Sequence, residues 1–178
     1  MGPHRLMIVD DDKNVLNALR RVLAGEGREL ECFIDPEEAL RRASVANFDL
    51  FISDYRMPHM DGAALLTEVR RLQPEAARII ISAYADFDAL LKALNEAGIE
   101  RFVAKPWSDY ELREAVRSAL ERRDLIVENR RLAERLRRTE ETLAQQNAEL
   151  ARLERENPGL TKVSWAKDGS ILLDERDL

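Results

Sequence analysis

Apolar residues follow two rhythms along this chain: short unbroken runs, and longer stretches with one apolar residue at every third or fourth place. Residues 5–10 (RLMIVD) form a run that predicts a strand buried on both faces. Val15, Leu16, Leu19, Val22 and Leu23 then repeat at helical spacing up to Gly25. The couplet recurs. "ELECFI" (29–34) predicts a second strand, and Asp35 as N-cap with Pro36 at the first helical position opens the helix "EEALRRAS". "DLFISD" (49–54), "ARIIIS" (77–82) and "RFVAK" (101–105) continue as strands. Between them "GAALLTEVRRL" and "DFDALLKALNEAG", the latter closed by Gly98, predict helices. Strands that alternate with helices imply an α/β fold, a parallel sheet covered on both faces, because parallel neighbours need crossover connections.

After Pro106 the rhythm changes. From Ser108 to about Asn157 there is neither Pro nor Gly, and Ala, Leu, Glu, Arg and Gln dominate, which predicts one very long helix or two in line. Leu112, Val116, Ala119 and Leu120 have the spacing of a helix packed on the sheet. Beyond them Leu125, Leu132 and Leu153 fall on d positions, and Leu136, Leu143 and Leu150 on a positions, of one heptad frame, with Asn129, Thr139 and Gln146 as polar breaks. Such a stripe alone would stay wet, so a partner helix is expected, and an Asn at a favours a parallel homodimer. "NPG" (157–159) ends the helix, and "LTKVSWAKDGSILLDE" predicts two short strands about a turn at 167–170. The expected organisation is a domain over 4–123, a coiled-coil helix over 124–157 and a short tail over 158–178 that could form a β-hairpin.

Composition narrows the classes. The chain has 178 residues, 45% of them hydrophobic and 35% charged, with a net charge of -6, so it has no global attraction to nucleic acid or anionic lipid. Cys32 is the only cysteine, which excludes an internal disulfide and suggests a buried thiol in a reducing, cytoplasmic compartment. No apolar run approaches the ~20 residues of a bilayer span, and the "MGPHR" start lacks a signal-peptide core, so no membrane role is expected.

The candidate chemistry sits where the strands end. Ligands of open parallel sheets bind beyond the carboxyl ends of the strands. Strand one ends in Asp10, Asp11 and Asp12, strand three in Asp54, strand four in Ser82 and strand five in Lys105 before Pro106. Two carboxylates about 4 Å apart repel by roughly 4 kcal/mol at an effective dielectric near 20, so the crowded aspartates need a compensator: a cation, a helix N-terminus or water. Carboxylates with a backbone carbonyl and waters suit a hard ion such as Mg²⁺ or Mn²⁺. His4 and His59 are too scattered for zinc.

"IVDDD", "SDYRMPHMDG", "IIISAYAD" and "RFVAKPW", in this order and spacing, resemble the receiver domain of two-component response regulators. The resemblance implies a five-stranded flavodoxin-like sheet of order 2-1-3-4-5. It implies that Asp54 is the phosphoacceptor, taking a phosphoryl group from a sensor histidine kinase or a phosphotransfer protein. Asp10 and Asp11 then correspond to the metal-binding acid pair, with Asp11 the more direct ligand, and the carbonyl of Arg56 completes the protein ligands. Lys105 neutralises a phosphoryl oxygen, while Ser82 hydrogen-bonds it after a shift coupled to the rotamer of Phe102. Pro58 and Gly62 shape the loop after Asp54, and Pro106 follows a cis peptide bond. Arg56 and Tyr84, two residues after the phosphoacceptor and after Ser82, are bulky and expected to slow autodephosphorylation. Asp12 is expected to be an N-cap or a first-turn carboxylate facing the dipole of the first helix, rather than a ligand.

Two other readings compete. A phosphatase of the haloacid-dehalogenase type would use Asp10 as nucleophile in an Asp-x-Asp, but "SDYRMPHMDG" has no place in that scheme. No enzyme activity beyond self-phosphorylation and autodephosphorylation is expected. The second contest concerns output. "NRRLAERLRR" (129–138) is locally basic, yet its charges alternate and suit a solvated coil face, and no DNA-binding motif follows. Nucleic acid is disfavoured, and signalling through the coiled-coil dimer and tail to an unidentified downstream protein is preferred. The alternative is that the chain is the front of a longer regulator with a nucleic-acid-binding or enzymatic output, although "LLDERDL" resembles a surface terminus.

Overall fold

A computed structural model of the chain describes residues 2–25, 27–83, 98–157, 164, 165, 171 and 172. Its contacts divide into two compact units, Met1–Glu128 and Asn129–Leu178.

In the first unit five parallel strands, β1 (His4–Val9), β2 (Arg28–Phe33), β3 (Leu50–Asp54), β4 (Ala77–Ala83) and β5 (Arg101–Lys105), form one sheet of order β2-β1-β3-β4-β5. This is the expected doubly wound order. The period-two geometry of strands sorts their apolar residues onto two faces. Leu6, Ile8, Leu50, Ile52, Ile79, Ile81 and Val103 pack under α1 (Lys13–Leu23) and the start of α4 (Asp109–Glu156). Met7, Val9, Phe51 and Ile80 pack on the other side, under α2 (Pro36–Ala43) and α3 (Gly62–Leu72). Every residue of β3 is buried, so burial on both faces explains its unbroken apolar reading.

Helix starts follow one rule here. Asp12, Asp35 and Asp61 are the N-caps of α1, α2 and α3, with backbone amides of Asn14, Glu37 and Ala64 donating to their carboxylates at 2.7, 2.9 and 2.7 Å. Each satisfies an amide that would otherwise lack a partner at a helix end. The expected caps at Asp12 and Asp35 are therefore observed. Gly98 adopts φ +60°, the left-handed conformation that glycine tolerates, whereas the helix expected over residues 86–97 lies outside the described residues. One expectation is corrected. Cys32 is half-buried rather than buried, because β2 is the edge strand and only one of its neighbours shields it.

At the amino ends of the strands, opposite the acidic rim, polar side chains tie β1, β3 and α4 together. Asp49 accepts from the Arg5 amide at 2.8 Å and pairs with Arg123 at 2.8 Å, and His4 meets Asp124 at 3.0 Å. Both His4 and Asp124 retain partial exposure, so the pair is worth little by itself.

Helix α4 is a single helix, its start carrying Leu112, Ala115, Val116, Ala119 and Leu120 as buried residues. In the second unit it is laced by its own ion pairs. Glu134 pairs with Arg137 and Arg138 at 2.9 Å each, Arg137 with Glu141 at 2.6 Å, and Glu149 with Arg152 at 2.7 Å. The two-residue strands β6 (Ser164–Trp165) and β7 (Ile171–Leu172) pair antiparallel, Ser164 opposite Leu172 and Trp165 opposite Ile171. The turn expected at 167–170 lies outside the described residues.

Candidate functional site

The sheet order brings the ends of β1, β3 and β5 to one rim, and the side chains there meet as a triad. Lys105 Nζ lies 2.9 Å from Asp10 Oδ2 and 2.5 Å from Asp54 Oδ1. Asp10 is 1% exposed, and its other oxygen accepts from the Asp12 amide at 2.9 Å. Burial pushes the Asp10 carboxyl above its ordinary range, with the Asp54 charge adding to the rise, although the Lys105 and Asp12 hydrogen bonds and the Lys105 charge pull the other way. Burial alone would lower the Lys105 ammonium, but its hydrogen bonds to Asp54 and Asp10 outweigh that and raise it. The two shifts differ in origin, burial for Asp10 and the hydrogen bonds to two carboxylates for Lys105, and two carboxylates facing one ammonium leave the cluster net negative. The same uncompensated negative charge draws a cation.

Gly62 shapes this rim from below. A Cβ there would overlap the Asp54 carbonyl oxygen and come within 2.8 Å of Ser53 Oγ, so only glycine lets α3 start this close to β3. The Gly62 amide donates to the Tyr55 carbonyl at 2.9 Å and the Tyr55 amide to Ile81 at 2.9 Å, which secures the turn after Asp54. His59 in that loop has φ +67°. The Lys105–Pro106 bond is cis, as expected.

The other expected site residues are distributed as follows. Asp11 is exposed beside the triad in sequence, and Arg56 is exposed in the loop after β3. Ser82 is 2% exposed at the end of β4, where it stands beside Ala104 of β5. Phe102 is half-buried against the face that α2 and α3 cover. Tyr84 lies outside the described residues. Among the described residues no three acidic, histidine or cysteine side chains converge closely enough to enclose an ion. The Asp10 and Asp54 carboxylates at the open rim suit Mg²⁺, which keeps several waters and needs one or two carboxylates. The residues therefore fit the ion by donor chemistry: hard oxygens, a net negative charge and an open rim.

Two participants escaped the sequence reading. Ser53, fully buried, donates to the Asp54 carbonyl at 2.8 Å, and the Asp12 amide fixes Asp10. Neither carries a sequence signal, since a serine inside a strand and a backbone amide look ordinary until the fold places them.

The family model of the response regulator receiver domain matches residues 6–117, more than half of the chain. The chain belongs to this family. It is 36% identical over 116 residues to the hydrogenase transcriptional regulatory protein HoxA of Bradyrhizobium diazoefficiens, covering 65% of this chain and 24% of that protein. It is 35% identical over 119 residues to the transcriptional regulatory protein PrrA of Mycobacterium leprae, covering 67% of this chain and 51% of that protein. Among solved structures, the signal receiver domain of an HD domain-containing protein from Pseudomonas fluorescens Pf-5 matches at a TM-score of 0.65 and 33% identity, over 68% of this chain and 98% of that one. The chain spans about a quarter to a half of the length of these curated relatives. It contains the receiver domain of a two-component response regulator, and receiver domains generally bind Mg²⁺ at the phosphorylation site and meet histidine kinases or phosphotransfer proteins. Among the described residues no helix is long and apolar enough to cross a membrane.

Proposed function

We propose that this receiver takes a phosphoryl group on Asp54 from a phosphohistidine and signals through a coiled-coil dimer to a protein partner. The observation that carries the reading is the Lys105 ammonium held between Asp54 and Asp10 at the carboxyl edge of the sheet. The Asp54 carboxylate attacks phosphorus, forming an O–P bond as the N–P bond to the donor histidine breaks. Lys105 turns its charge from two carboxylates to the arriving phosphoryl oxygens. Asp10, Asp11 and Asp54 with the Arg56 carbonyl would hold Mg²⁺, which would supply the further positive charge that the phosphoryl group needs. Ser82, at the end of β4, hydrogen-bonds the phosphoryl group, and Phe102 repacks with it, so that phosphorylation shifts the balance between two packings. Arg56 and Tyr84 obstruct the path of attacking water and slow the loss of the phosphoryl group.

The output reading assigns the receiver to 4–123, the coil to 124–157 and the tail to 158–178. Exposed leucines in a heptad frame support the dimer. Labelling with a low-molecular-weight acyl phosphate and Mg²⁺ tests the site. Label lost in Asp54→Asn supports the receiver mechanism, whereas label retained there and lost in Asp10→Asn would transfer the nucleophile to Asp10 and favour a phosphatase.

A second output reading has its own observation. The HoxA and PrrA relatives are transcriptional regulators of which the chain spans only part, so it also suits the front of a longer regulator with a DNA-binding output. DNA binding whose affinity falls steeply with salt would favour that reading over a protein partner.

A further inference from the structure

Among the described residues, the charged side chains of α4 beyond the receiver are not all paired within one chain. Glu134, Arg137, Arg138 and Glu141 hold one another along the helix, and Glu149 and Arg152 do the same. Among the described residues Arg135 and Glu140 belong to no ion pair or side-chain hydrogen bond: Arg135 has no acid three or four places away, and Arg137, three places before Glu140, pairs with Glu134 and Glu141 instead. In the heptad frame of the leucine stripe, Arg135 is a g position and Glu140 is the following e position. Those are the two places that meet across the seam of a parallel, in-register pair of helices.

We infer that two copies of this chain pair parallel and in register through Leu125–Leu153, with Arg135 of each copy bonded to Glu140 of the other. This rests on the dimer reading above and specifies its alignment. The seam residues are open: Leu125, Leu132, Leu136, Leu143 and Leu150 are 67, 50, 60, 52 and 49% exposed. The polar breaks single out the register. In the in-register parallel pair Asn129, Thr139 and Gln146 each face their own copy, and every leucine of the stripe faces a leucine. Sliding one helix by a heptad sets Asn129 against Leu136 and Thr139 against Leu132, burying a polar group without a partner. Turning one helix round can set Asn129 opposite Gln146, but it then sets Leu136 opposite Thr139 and brings Glu128 toward Glu149 of the second copy. Neither alternative brings Arg135 to Glu140. The in-register pair has one unfavourable contact, Glu149 opposite Glu154 of the second copy, and Glu149 is already neutralised by Arg152 of its own helix.

The occupant of the stripe is thus a second copy, because the unused charges are complementary to themselves under a two-fold axis along the seam. At four heptads, about 43 Å at 1.5 Å per residue, the seam is long enough for a stable two-stranded coil.

The test uses the full chain, with molecular mass measured by sedimentation across concentration and helicity followed by circular dichroism. The native chain is expected to be a dimer. Arg135→Glu and Glu140→Arg should each raise the dissociation constant about tenfold, since two symmetric attractions become repulsions, without loss of helicity. The double variant should return to within about threefold of the native value, and the two single variants mixed together should form mixed dimers in preference to either homodimer. A native chain that stays monomeric at all concentrations overturns the dimer reading itself. A dimer whose charge-swapped double variant is not rescued leaves the dimer standing and overturns the parallel, in-register alignment.

Discussion

The two halves of α4 share a composition and a secondary structure, and almost nothing else. Between Asp109 and Leu120 the helix holds Leu112 and Val116 at 0% exposure against the sheet. From Leu125 to Leu150 its leucines stand half to two-thirds exposed and the helix is laced by its own Glu–Arg pairs. Burial stabilises the first half, at roughly 1.5–3 kcal/mol for each fully covered leucine. The second half gains only ~0.2–0.5 kcal/mol from each intrahelical pair, so its stability depends on helix-forming residues and on a partner helix. A continuous helix can therefore report two different physical situations, and the difference lies in what covers it.

Breaking that contrast gives the largest effect. Leu112→Ala should lower the unfolding free energy of the receiver by about 3 kcal/mol in a denaturant titration, because its site cannot fully collapse around the loss. Leu143→Ala should leave that transition within about 0.5 kcal/mol of native while weakening self-association in sedimentation. Equal losses in the two variants would show that the halves are stabilised alike.

Gly62→Ala is expected to come next, with about 2 kcal/mol lost and phosphoryl uptake slowed, since its Cβ must displace the Asp54 carbonyl. An unchanged melting temperature would count against the tight seam between β3 and α3. Within the acidic run the contrast is finer. Asp12→Ala should remove about 1 kcal/mol with phosphorylation retained, as befits an N-cap, whereas Asp11→Ala should abolish Mg²⁺-dependent phosphorylation with little change in stability.

The smallest effect distinguishes the second half of α4 by acid. Arg137 and Arg138 hold the Glu134 carboxyl down to about 2 from its usual 4.5. A carboxyl lowered on folding stabilises the helix above its unfolded value, and the contribution fades as pH falls through the folded one. Ellipticity of the chain should thus decline between pH 4.5 and about 2, and Glu134→Gln should flatten part of that decline. The group is fully open to solvent, so added salt should diminish the effect.

Much was readable before any fold was known. Apolar runs of strand length and repeats of helical spacing depend on local geometry, so β5 at 101–105 and α3 at 62–72 coincide with their expected spans, and β1–β4, α1, α2 and α4 shift by a residue or two. The acidic rim was legible because strand ends in a parallel sheet share one edge. The role of Ser53, the close approach at Gly62 and the tie from Asp49 to Arg123 were not. Each depends on residues distant in sequence, and a lone serine, glycine or arginine carries no mark of its partner.

By itself the chain determined periodicity, caps, the acidic cluster and the heptad stripe, because these are written in spacings of a few residues. Only the tertiary structure decided which charges are spent. It placed one ammonium between two buried carboxylates, Lys105 between Asp10 and Asp54, and among the described residues it left Arg135 and Glu140 without an ion-pair partner. The physical reason is the same in both places. Whether a charge is compensated depends on distances across the fold, and those distances exist only once the sheet has closed and the helix has formed.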